Sequence, residues 1–145
     1  MTFLYVITIV IAFTLIIVIH ELGHFIAGKL FNFRIEVFSI GMGKRMWGIT
    51  RGETDYRISM IPVGGFVAFG GISDTEGPAE TGDPRDMPNR PVWQRMIVIF
   101  AGPLMNLVSG LILAVIIFAI GAQFTSAQIG AVNPASPAAV AGIKV

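Results

Sequence analysis

The chain has 145 residues, 54% of them hydrophobic and 13% charged, with a formal net charge of +1 and a mean hydropathy of +0.75. These values describe a membrane protein rather than a soluble globule, and a charge so near neutral excludes a nucleic-acid partner. The absence of cysteine excludes disulfides and thiolate sites, so any metal must be held by histidine, carboxylate and water.

Residues 3 to 19 carry no charge. They predict a helix from about Phe3 to Phe31, long enough to cross a hydrocarbon core of about 30 Å. The segment lacks a basic leader and a small-residue cleavage site, so it is read as a retained span, residues 1–31, rather than a cleaved signal peptide. It contains His20-Glu21-Leu22-Gly23-His24. Ionisable groups at membrane depth are costly and tend to mark function. On a helix, His20 and His24 share one face and can hold one metal ion between them. Glu21, beside His20, can reach an attacking water and act as general base. Packing alone would have to find partners for three buried polar groups. These are also the only two histidines in the chain, and the pattern is read as a zinc hydrolase motif.

Residues 32–72 predict a membrane-associated β-region. Ile35 to Ile40 reads as a short strand followed by a turn at Gly41-Met42-Gly43. Arg45 to Thr50 and Thr54 to Met60 flank Arg51-Gly52-Glu53, a hairpin signal. The stretch Pro62 to Gly71 is apolar, uncharged and rich in glycine. Gly64 and Gly65 would let its backbone bind an extended substrate by strand addition, or would serve a tight turn that re-enters the bilayer face. Residues 73–91, rich in Pro, Gly and acid, predict a mobile cytoplasmic loop in which Asp74, Asp83 and Asp86 are solvated.

A second span, residues 92–121, begins near Trp93 or Met96 and runs uncharged to Ile120. Asn106 is its lone amide. If Lys29 and Arg95 mark the cytoplasmic boundary, His20 lies about 13 Å inside it and Asn106 about 16 Å, nearly level. Asn106 either makes an interhelical hydrogen bond or aims its amide at a substrate carbonyl. Gly102-Pro103 would loosen the helix there and let another backbone approach. Residues 122–145 follow, with Ile129 to Val145 read as a strand and then a helix that starts at Ser136-Pro137. Nine of the ten Lys and Arg residues lie at or between the inner ends of the spans. The loop 32–91 is therefore expected in the cytoplasm and both termini outside.

Taken together, the chain resembles the site-2 protease family, in its bacterial regulator of sigma-E protease branch. The match rests on His20-Glu21-Leu22-Gly23-His24, on Ile61-Pro62-Val63-Gly64-Gly65-Phe66-Val67, on Asn89-Arg90-Pro91-Val92-Trp93-Gln94-Arg95 and on Phe100-Ala101-Gly102-Pro103-Leu104-Met105-Asn106. Asn133 to Gly142 looks like the opening of a PDZ domain, and the resemblance covers essentially the whole chain. It implies an α-helical membrane protein of two transmembrane helices joined by a cytoplasmic or membrane-reentrant β-hairpin region, with an incomplete extracytoplasmic PDZ domain at 122–145. It also implies a zinc endopeptidase of the bacterial inner membrane, with His20 and His24 binding zinc and Glu21 activating water. Asn106 would be the family's asparagine near the active site, and Pro62 to Gly71 its reentrant β-loop. Substrates would be single-span membrane proteins, such as anti-sigma factors, or remnant signal peptides, cut within the bilayer. The family's third zinc ligand is an aspartate in a Leu-Asp-Gly motif on a later helix. No such motif occurs in these residues and neither span holds an aspartate, which marks the chain as the N-terminal part of a longer enzyme. Two readings outside proteolysis compete: a membrane metal carrier, which needs the histidines but no general base, and a fragment that binds transmembrane segments without cutting them.

Overall fold

The computed structural model describes residues 1–72, 82–121 and 130–142. The elements in order are α1 (Thr2–Leu30), β1 (Ile35–Arg51), β2 (Thr54–Phe69), a 3-10 turn (Met87–Asn89), α2 (Val92–Ile120) and α3 (Pro137–Val140). The chain divides into two compact units, Met1–Ile112 and Leu113–Val145.

Both long helices reach the length expected of bilayer spans. Each has 29 residues, and the most apolar window of each has no residue buried inside the protein. Phe3, Leu4, Leu107, Leu111 and Phe118 are all exposed by more than 60%. Water would penalise so much bare apolar surface, whereas lipid does not, so the pattern fits a membrane protein. Termination of α1 is local. Asn32 takes a left-handed φ of 56°, its N–H donates to the Lys29 carbonyl at 3.1 Å, and the Phe33 N–H donates to Gly28 at 2.8 Å. This is the pairing of a Schellman end, with asparagine where glycine is commoner. The Arg90 guanidinium donates to the carbonyls of Phe31 and Asn32, which satisfies acceptors the helix end leaves free.

β1 and β2 form an antiparallel hairpin whose tight turn, Gly52-Glu53, lies where it was expected, with Arg51 paired to Thr54. The strands are longer than the sequence suggested. Gly41-Met42-Gly43 is not a turn: it lies inside β1, where Gly41 and Gly43 hold φ of 85° and 86° and the register shifts between Ile40, Met42 and Arg45. Positive-φ glycines serve bulges as readily as turns. Most of the glycine-rich stretch likewise joins β2, which ends only at Phe69. The bulges fold the hairpin over, so Val37–Ile40 pairs with Gly65–Ala68 on one side and, in ascending register, with Asp55–Ile58 on the other. Gly65–Ala68 is thereby an outer strand of the sheet.

The core is small and sits where α1 ends and both strands meet it. Ala27, Phe33, Ile35, Phe69 and Val98 are buried, with Phe25, Phe31, Val67, Met87 and Ala101 packed around them. Asp86 differs from the solvated residue expected of a loop, whereas Asp83 stays partly exposed and ion-paired. Asp86 is fully buried, with its Oδ1 2.6 Å from the Arg34 Nε, and Asp83 pairs with Arg85 at 3.0 Å. The Arg34 N–H donates to the Arg85 carbonyl, Gly70 N–H to Arg34 and Met87 N–H to Gly70, so residues 85–87 are bound to the base of the hairpin. Asp74, and the rest of the expected loop from 73 to 81, lie outside the described residues.

In the second unit, the short helix α3 starts at Pro137 as expected, with Ser136 at its N-cap position. The serine hydroxyl does not cap it, however; it donates to the Asn133 carbonyl at 2.7 Å. Gly130 to Asn133 forms no strand, and Ile129 lies outside the described residues.

Candidate metal centre

The site is built where α1 and α2 touch at Gly23 and Gly102. A Cβ on Gly23 would overlap the Ala101 carbonyl oxygen and lie 2.9 Å from the Met105 Cβ. Glycine at this position of the His-Glu-Leu-Gly-His motif therefore lets the two backbones touch. A complementary opening lies on α2. A Cβ on Gly102 would overlap His24 Nε2 and lie 2.7 Å from His20 Nε2. Both Nε2 atoms thus converge on the space that a side chain at Gly102 would fill.

His20 and His24 stand one turn apart with ring centroids 4.8 Å apart and planes at 81°. Ligand atoms of His20, Glu21 and His24 all lie within 4.8 Å of one another, and each residue is half-buried. Two imidazoles with converging Nε2 atoms, beside one carboxylate and with a gap at their meeting point, are a donor set suited to a divalent ion of borderline softness such as zinc. Catalytic zinc usually takes three protein ligands and leaves one position for water. Among the described residues the two histidines and Glu21 form the one cluster of this kind.

The outer nitrogen of each ring also has a partner. His24 Nδ1 lies 2.7 Å from the Val98 carbonyl oxygen. A carbonyl only accepts, so Nδ1 carries the proton and the Nε2 lone pair is free to ligate. His20 Nδ1 lies 3.1 Å from the Asn106 amide, which brings together the two residues expected to sit level in the spans. Val98 could not be found by reading side chains, because it contributes a backbone oxygen. Pro103 lies close by on α2 and removes the N–H that would otherwise bond the Ile99 carbonyl.

Gly64 and Gly65 are not at the metal centre. They pack against α1 on its N-terminal side, where Gly64 faces Ile17 and Gly65 faces Val18. Thr14 Oγ1 donates to the Pro62 carbonyl at 3.1 Å. The start of the outer strand therefore lies beside the apolar turns of α1 immediately before His20. Gly64 has a φ of 78°, and a Cβ on Gly65 would sit 2.7 Å from the Ser39 carbonyl oxygen, so neither position accepts a larger residue without strain.

The model for peptidase family M50 matches residues 8–144. A Clostridium perfringens protein named a "putative zinc metalloprotease" is 40% identical over 97% of this chain and 40% of its own length. A Clostridium acetobutylicum protein of the same description is 37% identical over 99% of this chain and 41% of its own length. Metalloprotease MmpA of Caulobacter vibrioides is 34% identical over 90% of this chain and 38% of its own length. The chain thus spans about two fifths of the length of these curated relatives.

Proposed function

The chain belongs to peptidase family M50, the site-2 proteases, and from that premise we propose that it is the N-terminal part of a zinc-dependent intramembrane endopeptidase. The observation that carries the proposal is the convergence of His20 and His24 Nε2 on the opening at Gly102, within an apolar helix and beside Glu21. His20 and His24 hold the zinc, and a third ligand comes from a part of the enzyme outside these residues. Zinc, when bound, polarises the scissile carbonyl and makes water acidic enough to attack near neutral pH. Glu21 takes the proton from the attacking water and delivers it to the leaving nitrogen, so that a peptide bond and a water become a carboxylic acid and an amine.

A transmembrane helix hides its peptide bonds and must be extended to be cut. The outer strand Gly65–Ala68 pairs with β1 along one edge, and we assign its other edge, with Gly64 and Gly65, to holding a substrate backbone by strand addition. Asn106 supports the site from α2. The substrates are transmembrane segments of single-span proteins, such as anti-sigma factors or remnant signal peptides. The location is the bacterial inner membrane, with residues 32–91 cytoplasmic and both termini outside. Residues 122–145 open a PDZ domain, a reading supported by the helix start at Pro137.

The test separates a protease from a carrier. In the intact protein, His20→Ala should lose its zinc. Glu21→Gln should keep it, while cleavage of a single-span substrate falls by about 10²–10⁴-fold. Cleavage at the wild-type rate by Glu21→Gln would overturn the proteolytic role, and metal transfer that survives in that variant would favour a carrier.

A further inference from the structure

The Asn106 amide is placed with its Nδ2 3.1 Å from His20 Nδ1, while its Oδ1 is buried with no hydrogen-bond partner. The –NH2 group can only donate, so this orientation requires a bare lone pair on Nδ1 and puts the imidazole proton on Nε2. That is the nitrogen pointing at the Gly102 opening, where a metal would need the lone pair instead. The orientation blocks the ligand, and a half-turn of the amide frees it. Oδ1 then accepts the Nδ1 proton and His20 Nε2 is freed. The arrangement becomes the counterpart of His24, whose Nδ1 already has a carbonyl acceptor 2.7 Å away at Val98.

We propose that Asn106 is a positioning residue for the metal centre: its Oδ1 accepts the His20 Nδ1 proton and sets the ring in the tautomer that ligates through Nε2. Both acceptors then come from α2, one backbone and one side chain, eight residues apart along the helix. The half-turn puts Nδ2 in the place of Oδ1, a buried position without a protein partner, so the –NH2 group becomes the one that a bound water or a substrate carbonyl would have to satisfy. The inference rests on His20 being a zinc ligand, as proposed above, but assigns Asn106 a role that the substrate contact alone does not require.

Asn106→Leu removes the acceptor at similar size, and Asn106→Asp keeps an acceptor while deleting the –NH2 donor. Zinc affinity is measured in the intact protein by competition with a chromophoric chelator. We expect about 10–100-fold weaker zinc in Asn106→Leu and retention within a few-fold in Asn106→Asp. Equal affinity in wild type and Asn106→Leu, or equal loss in both variants, would overturn the assignment. Nitrogen-15 spectra of the metal-free wild type give a reading that survives misfolding of either variant: His20 should be protonated at Nδ1, and a dominant Nε2–H form would refute the proposal. Failure of the zinc reading itself is distinguishable, because wild type and His20→Ala would then bind zinc equally whatever the tautomer.

Discussion

At the scale of single residues, Gly102 carries more of the site than its size suggests. Its missing side chain is the space into which two imidazole nitrogens point, so one added methyl displaces an imidazole rather than merely crowding a helix. Gly102→Ala should weaken zinc at least about 10-fold, the scale on which disturbed support of a metal ligand is felt. Gly110, on the same helix, faces open space, and a Cβ added there would meet nothing within 4 Å. Gly110→Ala should therefore leave zinc unchanged and add up to about 1 kcal/mol of helix stability. Chelator competition on the two variants checks this, and equal zinc affinity in both would show that the rings do not need the opening. His20, Glu21 and His24 were legible in the sequence because ionisable side chains stand out in an apolar run. The contacts that orient them were less so. Asn106 could be placed by depth, but Val98 acts through a backbone oxygen, and no side-chain pattern reports that.

Among the elements, the two helices could be read from length and hydropathy alone, whereas the hairpin could be read only at its tip. Gly41 and Gly43 carry the same local signal in a bulge as in a turn, and only the pairing of Val37–Ile40 with two partners decides between them. Asp86 was hidden for a different reason: the partner that lets it be buried, Arg34, is 52 residues away. Around that pair, Glu53 ties the hairpin turn to the segment before α2. It accepts from Arg85 at 2.8 Å and Lys29 at 3.4 Å. Burial pushes the Glu53 carboxyl upward, but the hydrogen bonds from Arg85 and Lys29 outweigh it and hold the group below its ordinary 4.5. The Arg85 side chain and backbone N–H hold Asp83 below its ordinary 3.8. A carboxylate with a depressed folded pKa stabilises the fold above its unfolded value and loses that contribution as pH falls through the folded one. The thermal midpoint in detergent should therefore be insensitive to these groups near neutrality. It should drop by a few degrees once the pH passes below 4.5 and then 3.8. Glu53→Gln should lower the neutral midpoint slightly and flatten the acid limb, both groups being exposed enough for water to screen them. An acid limb identical in Glu53→Gln and wild type would remove the carboxylate from this account.

For the whole molecule, the question is where the bilayer lies on unit Met1–Ile112. The hairpin offers two ends for comparison. Its turn is pinned to the end of α1 by the Lys29–Glu53 pair, and Arg51 beside it is exposed. Its other end, Ile61 to Gly64, lies along α1 by Thr14 and Ile17, where Ile61 and Val63 are also exposed. On the membrane placement proposed above, exposure means water at one end and hydrocarbon at the other, since a polar medium beside Ile61, Val63 and the bare face of α1 would be unfavourable. These 145 residues hold no cysteine, so single cysteines placed within them test this. A single cysteine at Arg51 should react rapidly with a membrane-impermeant maleimide, and only from the cytoplasmic side of oriented vesicles. One at Val63 should resist that reagent from both sides, yet react with a lipid-soluble maleimide. Residue 63 is also level with the turns of α1 before His20, so its protection would set the depth of the metal centre without reference to catalysis. If the two cysteines react alike with the impermeant reagent, the hairpin does not enter the bilayer. The outer strand could then not meet a transmembrane segment at the level of the histidines, and strand addition would have to be abandoned.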